Sequence, residues 1–210
     1  MKQITIILAV LVSFTMSAQL SSVTENSKIG QRLTGSTAAN HGDIGSNAVD
    51  LSYSSSSSTT KGATGTASTA MGKNTTASGD YSTSMGASTT ASGYYSTAMG
   101  DVTIALGSYS TAMGQSTTTS ANYSTAMGQN TTASGNYSTA MGSVTTASGW
   151  YSTAMGYGTN ASGDRSTAMG SYTTASDYAS LSIGRYNSVN STVTAGGSAT
   201  AFNTDNAALV

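Results

Sequence analysis

Cysteine and proline are absent from this sequence, phenylalanine occurs twice and histidine once, and only 7% of the 210 residues are charged. Without cysteine there is no disulfide framework and no thiol nucleophile. With so little charge and a formal net charge of -1, no basic patch can neutralise phosphates, which excludes nucleic acid and makes an anionic membrane surface a poor partner. Disordered chains are typically rich in Pro, Lys and Glu, and this one is not. The lack of proline suits an unbroken β-ladder, since each proline would delete a backbone donor.

Long apolar runs are also missing, apart from Ile4 to Val12 at the start. That run follows Lys2, precedes the small residues Ser17 and Ala18, and is too short to span a bilayer comfortably. Residues 1–18 therefore read as a secretory signal peptide, and the chain is expected to be exported, to the cell surface, the outer membrane or the medium. An exported chain without disulfides must draw its stability from elsewhere.

What the sequence does contain is repetition. The pentad Ser-Thr-Ala-Met-Gly stands at 68–72, 96–100, 110–114, 124–128, 138–142, 152–156 and 166–170, with STSMG at 82–86 and SLSIG at 180–184. The pentad glycines, from Gly72 to Gly184, recur every 14 residues without an insertion. Between pentads runs a second phrase close to xxTTASGxY, as in 73–81 and 143–151. Helix is a poor reading of so much Thr, Ser and Gly. Two short strands joined by tight corners fit better, with Gly supplying positive φ at the corners and Thr and Tyr on a pleated surface.

At about 3.3 Å per residue such a repeat traces a circuit of roughly 46 Å, enough for two strands and two turns. The prediction is an all-β, single-chain parallel β-solenoid of about nine 14-residue coils, each leaning on its neighbours through backbone ladders and like-on-like stacking. Its divisions are a leader (1–18), a cap and Ser-rich lead-in (19–67), the solenoid (68–184) and a closing segment (185–210).

Alternation along the pentad sorts side chains into two faces. Ser68, Ala70 and Gly72 point one way and Thr69 and Met71 the other. Small Ser and Ala suit the inside of a flat coil, which leaves Met71, Met85, Met99, Met113, Met127, Met141, Met155, Met169 and Ile183 as an apolar stripe outside. Such a stripe is an association surface, and strands facing a common axis predict a closed cyclic oligomer. The alternative is that methionine points inward and fills each coil.

Tyr81, Tyr95, Tyr109, Tyr123, Tyr137 and Tyr151 precede successive pentads and are expected to stack along one edge. The coils differ most at Asp80, Tyr94, Trp150, Tyr157 and Asp164, the candidate ligand-contacting positions. Thr75, Thr89, Thr103, Thr117, Thr131, Thr145, Thr159 and Thr173 form an unbroken file that raises ice binding as an alternative. A flat ice-binding face wants Thr at i and i+2, however, and within the series only Thr117 with Thr119 supplies it. No catalytic residue, metal site or cofactor is expected: His41 reads as a solvated loop histidine, and the scattered Asp residues read as corner residues without a calcium-binding pattern.

The repeat resembles the head repeat of YadA-type trimeric autotransporter adhesins, Asn-Ser-Val-Ala-Ile-Gly-x-x-Ser-x-Ala. Ser124, Ala126 and Gly128 match its Ser, Ala and Gly, Thr125 stands for Val, Met127 for Ile, Thr131 for the later Ser and Ala133 for the later Ala. Residues 41–65 also resemble the lead-in to such repeats in tail-fibre-like surface proteins of marine bacteria. The resemblance implies a left-handed β-roll, a homotrimer with the Val and Ile equivalents toward the threefold axis, and attachment to an extracellular surface or matrix ligand. The family's neck, coiled-coil stalk and membrane β-barrel have no counterpart in 185–210, so no membrane insertion by this chain itself is expected. The expected function is a non-enzymatic adhesin head or structural fibre module, with an ice-binding solenoid or a passive spacer as alternatives.

Overall fold

The computed structural model describes residues 20–187, so the leader and residues 188–210 of the closing segment lie outside the described region. Each repeat forms one coil. In a typical one, the strand Thr125–Gln129 is followed by a corner, the two-residue strand Thr132–Ala133 and a second corner. The long strands line up in a 12-stranded sheet and the short ones in a 9-stranded sheet. Within the repeats every pairing is parallel and in register, so that Met127 lies beside Met113 on one side and Met141 on the other.

The β-solenoid is longer than the nine repeats predict, with about 11 turns. The long-strand sheet extends toward the N-terminus beyond the strand Thr69–Lys73: β3 (Val49–Tyr53) pairs parallel with that strand, and β2 (Lys28–Leu33) pairs parallel with β3. Strand β1 (Leu20–Glu25) then folds back antiparallel on β2 through a turn in which Asn26 and Ser27 have positive φ. The hairpin occupies the edge of β2 that would otherwise be open to another chain.

The corners are built differently from the expectation. Apart from Gly158 at φ 62°, the corner residues in the left-handed region are not glycines but the tyrosines, such as Tyr123 at φ 56° and Tyr137 at φ 60°, and a second set that includes Asn130 at 52° and Val144 at 56°. Their N–H groups donate to the preceding coil, Tyr137 to Asn122 O at 3.0 Å and Val144 to Gln129 O at 2.9 Å. Strand residues donate the other way, as Thr125 N–H does to Ser138 O at 2.9 Å. The left-handed turn reverses the peptide and ties each corner to the coil before it. Non-glycine residues bear a cost of about 1–2 kcal/mol there, which stacking must offset.

Glycine serves a different need, that of close approach. The pentad Gly128 has φ 121°, and a Cβ on it would collide with the carbonyl oxygen of Gly142 in the next coil.

The interior is narrow. Ala126, Ala133, Ser124 and Thr131 are fully buried, and the same four positions are buried through most of the roll. Two departures from the repeat reveal what faces what. Where Ser84 replaces alanine, its hydroxyl lies 2.7 Å from Thr89 Oγ1, and where Thr119 replaces alanine it donates to Ser110 Oγ at 3.0 Å. In a regular coil Ala126 therefore lies across from Thr131, and Ala133 across from Ser124. A hydroxyl facing a methyl finds no partner there, and Thr131 Oγ1 and Ser138 Oγ are among the buried hydroxyls without a protein hydrogen bond. Each such group costs about 1–3 kcal/mol, a penalty that the backbone ladder and the close packing of the coils must outweigh.

Candidate interaction surfaces

The long-strand sheet presents its outer side as two files, threonine from Thr69 and methionine from Met71. The alternation that buries Ala70 and Ser68 turns these side chains outward. Met71 and Met113 are each 37% exposed and Ile183 46%, with the methionines between them half-buried. Register extends the apolar file to Leu51, which pairs with Met71, and to Ile183, which pairs with Met169. The inward alternative for methionine is thereby excluded. Among the described residues, nothing covers this file in a way that buries it.

The tyrosines run along a corner edge. From Tyr81 through Tyr95, Tyr109, Tyr123, Tyr137 and Tyr151, successive rings stack with centroids 4.7 to 5.3 Å apart and planes within 12°. Their faces are thus occupied by one another, leaving edges and hydroxyls to solvent. Arg165 interrupts the series and lies over Tyr178, with its guanidinium carbon 5.4 Å from the ring centroid. A shorter aromatic group sits at the other corner, where Tyr157 meets Tyr172 edge-on at 5.1 Å and Tyr172 stacks on Tyr186 at 5.3 Å. Hydrogen bonding to Tyr157, followed by desolvation, raises the Tyr172 phenol above its ordinary range, and Tyr95 acts in the same way on Tyr94.

The variable positions divide into two kinds. Asp80 accepts a hydrogen bond from Thr66 N–H at 2.7 Å and Asp164 one from Trp150 N–H at 2.9 Å, so each carboxylate caps a backbone donor of the preceding coil. Asn122 and Asn136 do the same for Ser108 and Asn122. Trp150, Tyr94 and Tyr157 are exposed, by 55%, 42% and 48%. Tyr94 also packs edge-on against Tyr95 at 4.4 Å.

The eight-residue threonine file from Thr75 to Thr173 lies inside the roll, at 0–1% exposure. It cannot meet ice. The outer side of the short-strand sheet instead carries Thr132 and Ser134, or their equivalents, and this array is broken by Ile104 with Leu106 and by Asn160.

The repeat agrees with a direct comparison. The sequence profile of the YadA head domain repeat, two copies long, matches eight overlapping stretches from 63–89 to 161–187, covering more than half of the chain. The chain belongs to the YadA head repeat family. No curated protein matches it. The family is structural and non-catalytic, and its repeat produces an adhesin-like β-solenoid module.

Outside the YadA head match, the N-terminal coils hold a buried polar cluster that the sequence pattern does not announce. Arg32, 4% exposed, bonds Glu25 through both terminal nitrogens at 2.7 and 3.2 Å, reaches Asp50 Oδ2 through Nε at 3.4 Å and donates to Gly42 O at 3.0 Å. His41 is not solvated but 7% exposed, with Nδ1 3.0 Å from Asp50 Oδ2. Asp50 is fully buried and also accepts from the Ser52 hydroxyl at 2.6 Å and the Ser52 N–H at 3.0 Å. Ser52, His41 and Asp50 are the residue types of a hydrolase triad, but Ser52 is only 2% exposed, and its hydroxyl lies 2.6 Å from Asp50 Oδ1 and only at 3.4 Å from His41 Nδ1. Burial pushes the Glu25 carboxyl up, but hydrogen bonds from Arg32 and Ile44 N–H, with the charges of Arg32 and His41, bring it below its ordinary value. The cluster's polar groups satisfy one another within the N-terminal coils.

Proposed function

We propose that the chain is the head of an exported, homotrimeric adhesin-like fibre module, with the methionine file at the threefold axis. One observation carries this reading: an apolar file from Leu51 to Ile183 lies on the outer face of a continuous sheet. A file of that kind in an aqueous compartment favours a self-complementary partner, and threefold closure joins three copies with no file left exposed. Membership of the YadA head repeat family, whose heads form trimers and bind surface ligands, supports the same assembly. Residues 1–18 act as the export leader, 19–67 as cap and lead-in, 68–184 as the head and 185–210 as its closure.

In this arrangement the corners and the short-strand sheet face outward. Tyr94, Trp150 and Tyr157 are the exposed, non-repeating groups available to an extracellular ligand, while Asp80 and Asp164 shape the corners beside them. Three parallel copies of each coil convert weak contacts into avidity. A passive spacer would use the same stack without ligand contacts. No helix among the described residues is long and apolar enough to cross a membrane.

Sedimentation of the mature chain tests the proposal. A trimer is expected, and replacing Met113 and Met127 by Asp should reduce it to folded monomers, because buried unpaired carboxylates on the axis are strongly unfavourable. A trimer indifferent to both substitutions would remove the file from the interface.

A further inference from the structure

The methionine file poses a chemical question that apolarity does not answer. Of the ten methionines in the sequence, Met1 and Met16 precede the described residues, and the other eight all stand in this one file, from Met71 to Met169. The chain has no cysteine, so these thioethers are all the sulfur among the described residues. At the two ends of the same file Leu51 and Ile183 take the place without sulfur. An aliphatic side chain therefore fits the register. What methionine adds is a flexible stem and an oxidisable atom.

We infer that the methionine file is an oxidative modification site, and that sulfoxidation of its thioethers dissolves the assembly. A peroxide or hypohalous acid supplies the oxidant. With hydrogen peroxide, the O–O bond breaks, an S–O bond forms, sulfur loses two electrons, and the second oxygen leaves as water. The methionines are at least partly exposed on the single chain, so the oxidant reaches them when a protomer detaches, and the product is a polar, chiral sulfoxide in place of an apolar side chain. Because the strands are parallel and in register, the modified groups accumulate in one line: Met99, Met113, Met127, Met141 and their neighbours lie in adjacent layers of a single sheet. A stripe that holds copies together by dry contact becomes a stripe of strong acceptors that must give up water to associate. Inside each coil nothing changes, since Ala126, Thr131 and the other buried groups carry no sulfur. The coil should survive while the association fails. Sulfoxide reduction would restore it.

This inference rests on the trimeric reading, and the experiment separates the two. The mature chain is treated with increasing hydrogen peroxide, and intact mass, sedimentation and far-ultraviolet circular dichroism are followed together. A second protein carries isoleucine at all eight methionine positions of the file, from Met71→Ile through Met169→Ile. The expected result is a trimer before treatment, a β-rich monomer after oxygen uptake, and an Ile variant that stays trimeric at the same dose. A fully sulfoxidised chain that remains a trimer overturns the inference and leaves the trimeric reading standing. So does an intact mass that does not change at doses that oxidise free methionine. An untreated monomer overturns the trimeric reading and this one with it.

Discussion

One column of the long-strand sheet reads Ala98, Ala112 and Ala126 in the middle of the roll, and Arg32 and Asp50 at its N-terminal end. Both stretches point inward and both are buried, yet one is a line of methyl groups and the other an ion-paired cluster. In the middle, each coil has an identical neighbour above and below, so the smallest side chain that lets the sheets approach is sufficient. At the end there is no next coil of the same kind, and the cross-section must be closed by groups that satisfy one another. Glu25, Arg32, His41, Asp50 and Ser52 do so through individual bonds. The solenoid thus has a generic interior and a specific terminus.

Four substitutions or conditions would break or sharpen that contrast. Replacing Gly128 by Ala should have the largest effect, about 3 kcal/mol or more, because the added methyl meets the Gly142 carbonyl and the backbone at φ 121° disfavours any side chain. Denaturant melting should register it, and a loss below about 1 kcal/mol would mean that the stack tolerates wider spacing than the packing implies. Next comes Asp50→Ala, expected to cost about 1.5–3 kcal/mol, because Arg32 keeps Glu25 while His41 and the Ser52 hydroxyl lose their carboxylate. Hydrogen exchange should place that loss in the N-terminal coils and spare those beyond Met99. Uniform loss along the rod would contradict a separable cap.

Acid should distinguish the ends in a graded way. The Glu25 carboxyl lies below its ordinary value of 4.5 in the folded chain, so its contribution is complete above that value and fades as pH falls through the lowered one. N-terminal coils should therefore lose protection before the roll below pH 4.5, and Glu25→Gln should flatten this dependence. The smallest effect is expected of Ala126→Ser. Its hydroxyl would face Thr131 as Ser84 faces Thr89, giving a partner to a buried group and a gain of about 1 kcal/mol in thermal unfolding. A loss instead would show the interior to be too tight for one more oxygen.

The roll is legible in the sequence because its period never slips: a fixed spacing of 14 points to the parallel register, and alternation separates Ser and Ala from Met, although only burial decides which face is inward. The corners are not, because the pentad glycines, which do carry positive φ, lie within the long strands, where they also admit the carbonyls of the next coil. Tyrosine holds the left-handed turn at a corner, at positions that resemble ordinary strand residues in sequence. Irregular spacing hides the terminal cluster. Val49 pairs with Thr69 and Gln31 with Val49, intervals that depart from the repeat, so Asp50 and Arg32 do not fall into the alanine column by counting. His41 consequently looks like a loop residue. The threonine file is visibly continuous but not visibly internal, since Thr131 and Thr132 are adjacent and only their burial shows that Thr131 faces in.

The in-register stack also bears on how such a gene can change. Each coil touches only the one before and the one after, and the departures that need a partner, Ser84 with Thr89 and Thr119 with Ser110, find it within a single repeat's length. A replication slip that duplicates or deletes one repeat unit would therefore rejoin like to like, moving the distal end by about 4.8 Å and asking for no repair elsewhere. Reach becomes a heritable quantity that varies in whole steps.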